Sequence, residues 1–125
     1  EDSLAIKPKK VFISFHADWC AYCKKMDKVA FQNAAVINIL NTNYYAIKMD
    51  AESKNVIVFD GRKYTNQQIS KSRKPTHDIP LLLASRKGKP FSLPANLVLD
   101  ENFIIKERSF EYLSPKALLT MLTTP

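Results

Sequence analysis

The sequence predicts an α/β domain in which helices flank a central β-sheet. An apolar, strand-like run at residues 10–16 precedes a helical pattern, and a second strand-like run follows at residues 44–49. A strand, a helical stretch and a second strand in this order favour a right-handed βαβ unit with two parallel strands. Two further strand-like runs, at residues 95–99 and 103–108, favour an antiparallel pair. The length of 125 residues predicts a single domain over residues 1–125.

Capping residues mark the starts of three predicted helices. Asp18 is the predicted cap of the helix after the first strand, and Asn33 is the predicted cap of a short helix over residues 34–40. Ser114 is the predicted cap of the last helix, with Pro115 suited to its first turn. The apolar residues that we expect to face the core are Val36, Ile37 and Leu40 in the second helix and Ala117, Leu118, Met121 and Leu122 in the last.

Residues 51–92 form an insertion between the second and third predicted strands of the central sheet. Residues 56–64 predict a small β-hairpin, because Asp60-Gly61 is typical of a tight two-residue turn. Two helical pieces are predicted after the hairpin, at residues 67–72 and 78–87.

The two cysteines, Cys20 and Cys23, lie where a helix is predicted to begin. Unpaired backbone N–H groups and the positive end of the helix dipole favour a thiolate at Cys20, so we expect its pKa to be lowered. Cys23 lies one turn further on, within reach of a disulfide. A single Cys pair is a poor zinc site, and Lys24 after Cys23 excludes the c-type haem motif. We therefore predict a redox pair without a metal or a cofactor, in which Cys20 is the nucleophile and Cys23 the resolving thiol.

Residues 17–24, Ala-Asp-Trp-Cys-Ala-Tyr-Cys-Lys, resemble the active-site segment of the thioredoxin superfamily. Together with residues 33–37 and 43–50, they are most similar to divergent secreted bacterial thioredoxin-related proteins, such as the C-terminal domain of DsbD. The resemblance extends over about residues 8–50 and 90–124. It implies a thioredoxin fold with a mixed sheet and the activity of a thiol–disulfide oxidoreductase. The implied partners are disulfide-containing protein substrates and a thiol–disulfide electron donor.

The resemblance also implies a substrate-binding surface made of Trp19, Tyr22, Leu93 and Pro94. Trp19 would offer an apolar face to a bound peptide, although a single Trp is often a core residue. Pro94 stands where the superfamily has a cis-proline that faces the Cys pair, and the Leu93 backbone would pair with an extended substrate. Only Pro94 directly precedes a good strand that is followed by a hairpin. The competing prolines are Pro75, Pro80, Pro90 and Pro115.

The chain departs from the superfamily pattern at two places. Ala21-Tyr22 stands between the cysteines, where thioredoxins commonly have Gly-Pro. Ser14 occupies the position six residues before Cys20, where many thioredoxins have a buried acid that assists proton transfer. His16 is either a proton carrier or a polar residue at the strand end. Lys10 and Asp18 are the other candidates for proton transfer, and we assign no general base. We favour a reductase of protein disulfides, and the alternatives are a disulfide oxidase or isomerase and a non-catalytic interaction module.

The positive charge of the chain is concentrated in the insertion. The formal net charge is +7, and residues 51–90 hold nine Lys and Arg against three Asp and Glu, a net of +6. This stretch is either a solvated surface or a patch that steers an acidic partner protein toward the site. No recognised nucleic-acid motif accompanies the charge, so we expect no nucleic-acid partner.

No apolar run approaches the ~20 residues that span a bilayer, so we expect no membrane insertion. We also expect a monomer. The sequence begins at Glu1 and shows no signal peptide, and we expect a periplasmic or secreted protein from which a signal peptide has been removed. A cytoplasmic protein is the alternative.

Overall fold

The computed structural model describes residues 9–59 and 61–124. It contains six β-strands, four α-helices and a short 3-10 helix over Ala30–Gln32 within these residues. In chain order the elements are β1 (Lys10–His16), α1 (Ala21–Lys28), α2 (Ala34–Asn43), β2 (Tyr44–Asp50), β3 (Ile57–Phe59), β4 (Arg62–Tyr64), α3 (Asp78–Ala84), β5 (Ala95–Leu99), β6 (Ile105–Ser109) and α4 (Pro115–Thr123).

Four of the strands form a mixed sheet in the order β2-β1-β5-β6. β1 pairs with β2 in parallel, and β5 runs antiparallel to both β1 and β6. The predicted α/β class and mixed central sheet are therefore confirmed. β1 lies inside the sheet and is buried on both faces, which explains why its apolar residues do not alternate with polar ones.

The two faces of the sheet carry two cores, because successive side chains of a strand point to opposite faces. Phe12 packs with residues of α1, α2 and α4, among them Met26 and Leu118. Phe15 points to the other face and packs with Ile79 of α3 and with residues of the β3-β4 hairpin. The helix α1, which contains Cys23 and begins after Cys20, therefore packs on the sheet face that carries Phe12.

Two of the three predicted helix caps are confirmed. The side-chain oxygen of Asn33 accepts hydrogen bonds from the backbone N–H groups of Ala35 at 3.0 Å and Val36 at 3.2 Å. Ser114 accepts from Ala117 N at 3.1 Å in the same manner, with Pro115 in the first turn of α4. Such a cap stabilises a helix by about 1 kcal/mol.

The predicted hairpin of the insertion is confirmed. β3 pairs antiparallel with β4, and Phe59 lies opposite Arg62, so two residues connect the strands. Gly61 has φ +74°, a conformation that glycine adopts without a Cβ clash. Asp60 lies outside the described residues.

The predicted helix at residues 67–72 is wrong, and the segment is a series of turns. The side chain of Asn66 replaces helical hydrogen bonding: its Oδ1 accepts from Gln68 N at 3.0 Å, and its Nδ2 donates to the carbonyl oxygens of Ser53 at 3.1 Å and Pro75 at 2.7 Å. Asn favours such local bonds over helix formation. The amide fixes this loop to the segment that follows β2.

The second predicted helix of the insertion ends earlier than predicted, at Ala84. His77 begins it, because its Nδ1 accepts from Ile79 N at 3.1 Å. The last strand also starts later than predicted, at Ile105. Asp100 holds the loop before this strand by accepting hydrogen bonds from the backbone N–H groups of Ile104 and Asn102. These bonds, the one from Ile104 foremost, lower the pKa of its carboxyl group.

Candidate active site

A tight turn after β1 places Cys20 at the start of α1. The backbone N–H of Cys20 donates to Ala17 O at 3.0 Å, and the chain then enters the helix. Cys20 itself is the N-cap, because its Sγ accepts a hydrogen bond from Cys23 N at 3.1 Å. The prediction of Asp18 as the cap is therefore wrong. Asp18 is exposed in the turn, two residues too early to reach the first free N–H groups.

Cys20 and Cys23 are joined in a disulfide, with their Cα atoms 5.2 Å apart. Both are buried, with exposed fractions of 3% for Cys20 and 5% for Cys23. The Sγ of Cys23 lies 4.0 Å from the carbonyl oxygen of Phe15, near the end of β1. The helix cap thus presents an N–H group to the sulfur of Cys20, while Cys23 faces the sheet.

Pro94 lies at the same end of the sheet as the redox pair. β5 begins at Ala95 opposite Phe15, so the residue before Ala95 lies beside the end of β1. The Leu93–Pro94 peptide bond is cis, as the resemblance implied. The register therefore places Pro94 at the end of β1 from which the chain turns toward Cys20.

Trp19 is a surface residue of the site rather than a core residue, with 44% of its area exposed. Its indole Nε1 donates to Glu52 Oε2 at 2.6 Å. The ammonium of Lys74 lies 3.9 Å from the ring centroid, a cation–π contact. A hydrogen bond at the ring edge and a cation on the ring face hold the indole beside Cys20.

Tyr22, between the two cysteines, projects from the surface with 60% of its area exposed. Its ring centroid lies 6.0 Å from that of Tyr112, and the ammonium of Lys25 lies 4.8 Å from the Tyr112 centroid. Each cysteine is thus preceded in the chain by an exposed aromatic residue, Cys20 by Trp19 and Cys23 by Tyr22.

A pocket of about 170 Å³ opens between Trp19 and Leu93. It is lined by Trp19, which precedes Cys20 in the chain, and by Leu93, which precedes Pro94. The sequence did not identify Glu52 or Phe91 as residues of the site, and it identified Lys74 only as part of a basic stretch. The remaining residues that line this pocket are Ala51, Glu52, Lys74, Thr76 and Phe91.

Ser14 is buried on the sheet face that carries α1, and it lies opposite Asn96 of β5. His16 follows two residues later on the same strand, is half-buried and points to the same face by strand alternation. Sequence reasoning did not identify Asn96, because its proximity to Ser14 arises only from the pairing of β1 with β5.

Two further properties concern residues 9–59 and 61–124. Within these ranges, no group of three or more His, Cys, Asp and Glu residues is arranged to hold a metal ion. None of the helices in the same ranges has the length and apolar character needed to cross a membrane.

Comparison with known sequences identifies two similarities. A sequence profile of thioredoxin-like proteins matches residues 3–83. An uncharacterized protein of Caenorhabditis elegans is 41% identical over 46 residues, which make up 37% of this chain and 6% of that protein. The match thus spans only a small part of the length of that relative.

Solved structures show the same fold at low identity. The thioredoxin of Thermus thermophilus has a TM-score of 0.62 and 14% identity, over 97% of this chain and 78% of that chain. The reduced DsbD C-terminal domain of Neisseria meningitidis has a TM-score of 0.60 and 16% identity, over 97% of this chain and 85% of that chain. At these identities the likeness concerns the fold alone.

Proposed function

The chain belongs to the thioredoxin-like family, and from this premise we propose that it reduces disulfide bonds of other proteins through Cys20 and Cys23. The fold and the Cys20–Cys23 pair support a thiol–disulfide oxidoreductase. The observation that carries the proposal is the N-cap position of Cys20, whose Sγ receives the backbone N–H of Cys23. A sulfur that already accepts a hydrogen bond in the disulfide is suited to hold negative charge once the bond is reduced.

In the first step of the proposed reaction, the Cys20 thiolate attacks one sulfur of a substrate disulfide. A bond forms between Cys20 Sγ and that sulfur, the substrate S–S bond breaks, and the second substrate sulfur leaves as a thiolate. The N–H of Cys23 stabilises the attacking thiolate without a metal or a cofactor.

In the second step, Cys23 attacks Cys20 Sγ. The mixed disulfide breaks, its substrate sulfur leaves as a thiolate, and the Cys20–Cys23 disulfide forms. The proton of the Cys23 thiol is transferred to a departing substrate thiolate, so charge is balanced. A thiol–disulfide electron donor then supplies two electrons and two protons to regenerate both thiols.

The proposed substrate surface is formed by Trp19, Tyr22, Leu93 and Pro94. Trp19 and Tyr22 are exposed and would offer their aromatic rings to a substrate that approaches the redox pair. The Leu93 backbone, before the first residue of β5, would pair with an extended substrate segment. This surface suits a peptide of a protein substrate better than a small molecule.

The proposal places the protein outside the cytosol, in the periplasm or the secreted fraction, where protein disulfides are present. It also treats the chain as a monomer. Fractionation of source cells would test the first point, and exclusive recovery from the cytosol would contradict it. Light scattering of the purified protein would test the second.

Reduction of a protein disulfide substrate, with dithiothreitol or a thioredoxin-type reductase as electron donor, tests the proposal directly. The wild type is expected to turn over, and Cys20→Ser is expected to be inactive. Cys23→Ser is expected to accumulate the mixed disulfide, detectable as a covalent adduct by mass spectrometry. Wild-type turnover at background would instead support a non-catalytic interaction module.

A glutathione redox titration separates the reductase from the oxidase and isomerase alternatives. Proteins of this superfamily span roughly −270 mV for thioredoxin to −120 mV for a strong oxidant. We expect the Cys20–Cys23 pair near the reducing end of that range. A potential near the oxidising end would favour disulfide formation or isomerisation over reduction.

A further inference from the structure

Asn96 is a polar residue in an apolar strand. Its side chain is fully buried, with 0% of its area exposed, and its neighbours Leu97, Val98 and Leu99 are buried apolar residues. Its Nδ2 makes one long contact, to Met26 Sδ at 3.8 Å, and its Oδ1 has no hydrogen-bond partner among the described residues. A buried acceptor without a partner destabilises the folded state, so the amide needs an explanation beyond packing.

The strand register places Asn96 on the sheet face that carries α1, close to the level of the resolving cysteine along β1. Asn96 lies opposite Ser14, and directly opposed side chains of an antiparallel pair lie on the same face. That face carries α1, since Asn96 contacts Met26, which lies one helical turn beyond Cys23. The next residue pair is Phe15 with Ala95, and the carbonyl oxygen of Phe15 lies 4.0 Å from Cys23 Sγ. Along the strand direction, Asn96 and the contact between Phe15 O and Cys23 Sγ are therefore one residue apart, which corresponds to about 3.3 Å.

We propose that Asn96 is a positioning residue for Cys23: its Oδ1, with the hydroxyl of Ser14, holds a buried water that carries away the thiol proton as Cys23 attacks the mixed disulfide. A buried water needs two to four polar partners. Asn96 Oδ1, Ser14 Oγ and the Cys23 thiol supply three. The proton passes through this water to the departing substrate thiolate, so the step creates no net charge in the core. This role rests on the proposed function.

Few titratable groups compete for this role. β5 carries none, α2 carries none, and Lys116 of α4 is exposed. On β1, Lys10 lies at the far end, whereas His16 points to the same face as Ser14. On β2, Lys48 lies opposite Ser14 and Asp50 lies opposite His16. Lys48 is exposed and paired with Asp27, and Asp50 Oδ1 accepts a hydrogen bond from Glu52 N at 2.8 Å. His16 is therefore the rival proton carrier. The titratable side chains of α1 are exposed, with one exception. The exception is Asp27, which is half-buried and paired with Lys48 at 2.6 Å. The exposed ones are Tyr22, Lys24, Lys25 and Lys28.

The test compares Asn96→Leu, Asn96→Asp and Val98→Ala with the wild type. Asn96→Leu removes the acceptor at similar volume and should not lower the thermal stability, because it also removes the unpaired oxygen. We expect it to slow resolution of the mixed disulfide about tenfold at neutral pH and to move the break in the pH–rate profile of that step upward. Asn96→Asp keeps an acceptor oxygen and should resolve the mixed disulfide at close to the wild-type rate.

Val98→Ala is the packing control, on the same face of the same strand. It should lower stability while leaving the break in the pH–rate profile in place. Equal slowing of Asn96→Leu and Val98→Ala, with no movement of the break, would reduce Asn96 to a packing residue and overturn the inference. A wild-type profile for Asn96→Leu would also overturn it.

The variant His16→Gln tests whether His16, rather than the water held by Asn96, carries the thiol proton. A break that moves with His16→Gln and not with Asn96→Leu would assign the proton to His16 and overturn the inference. Failure of the proposed function is distinguishable from all these outcomes, because the wild type would then form no mixed disulfide. Alkylation of Cys20 in reduced Asn96→Leu is a further control and should proceed at the wild-type rate.

Discussion

The ammonium of Lys74 lies 3.9 Å from the centre of the Trp19 ring, which directly precedes the nucleophilic cysteine in our proposal. Lys74 belongs to the basic insertion, so this contact places one positive charge of the insertion at the edge of the candidate site. Arg86 of the insertion is engaged elsewhere: it lies over the Phe110 ring at 4.0 Å and donates to Ser92 Oγ. Because Lys74 contacts Trp19 directly, we expect the charge effect of the insertion on substrates to act mainly through Lys74.

Reversing the charge at Lys74 should reduce the preference for acidic substrates. We expect Lys74→Glu to lower the rate for a peptide disulfide with Asp or Glu beside its cysteine several-fold more than the rate for the matching neutral peptide. The preference of the wild type should weaken as salt rises, because the Debye length shrinks from ~10 Å at 0.1 M to ~3 Å at 1 M. The measurement is the ratio of kcat/KM values for the two peptides at each salt concentration.

Lys71→Glu is the matched control for this experiment, since Lys71 is exposed on the same loop. It should change the ratio much less than Lys74→Glu. Reversal of Arg62, Lys63 and Arg73, which are also exposed, tests the remaining surface of the insertion. Equal effects of all these reversals would indicate diffuse steering by net charge, and no effect of any would indicate a solvated surface.

The sequence was sufficient to predict what depends on local chemistry. The strand before the cysteines, the caps Asn33 and Ser114 and the two-residue turn at Gly61 follow from short-range preferences, and the structure has all of them. The Glu52–Trp19 hydrogen bond spans 33 residues in sequence and comes from the placement of the insertion beside the turn after β1. No local pattern records such a contact, which is why Glu52 was missed.

Asn66 should control the placement of the loop that carries Lys74. Its side chain accepts one hydrogen bond and donates two, and one of the donated bonds ends on Pro75 O, next to Lys74. Asn66→Ala leaves partly buried backbone groups without partners and should cost about 1–3 kcal/mol of unfolding free energy. It should also reduce the acidic-substrate preference in the direction of Lys74→Glu. Urea unfolding and the peptide ratio measure the two effects, and a stable variant with unchanged preference would contradict this role.

Reactivity toward an alkylating agent should distinguish the two cysteines. Cys20 lies at the helix start with a backbone N–H directed at its sulfur, whereas the sulfur of Cys23 lies near the carbonyl oxygen of Phe15. A thiolate is favoured by the first environment and disfavoured by the second. In the reduced protein, iodoacetamide should label Cys20 first across a pH series, followed by peptide mapping. Preferential labelling of Cys23 at neutral pH would reverse the assignment of nucleophile and resolving thiol.

Helix faces were harder to predict than helix caps. Val36 and Leu40 are buried as predicted, because they lie four residues apart on one face of α2. Ile37 lies about 100° around the helix from Val36 and is 40% exposed, so its predicted burial is wrong. Ala117 is likewise exposed on α4. An apolar side chain at the margin of a stripe is buried only if a neighbouring element covers it, and the sequence of one helix does not contain that information.

Tyr44 should make the stability of the fold fall at alkaline pH. Its hydroxyl donates to Leu122 O at 2.6 Å and fastens β2 to α4. Burial raises the pKa of Tyr44, and the negative charge of Glu107 raises it further. As pH rises through about 10, the unfolded chain therefore loses the Tyr44 proton before the folded chain does. The free energy of unfolding then falls with rising pH until the folded chain has lost the proton as well.

Tyr44→Phe should separate these two effects. Loss of the hydrogen bond should lower the unfolding free energy at pH 7 by about 1 kcal/mol, because Leu122 O loses its donor. The variant should then lose stability less steeply than the wild type above about pH 9, since position 44 no longer titrates. Urea unfolding of both proteins at pH 7 and at several alkaline values measures the difference. The other tyrosines are common to both proteins, so their contribution cancels. Parallel pH dependences would show that Tyr44 titrates alike in the folded and unfolded chain.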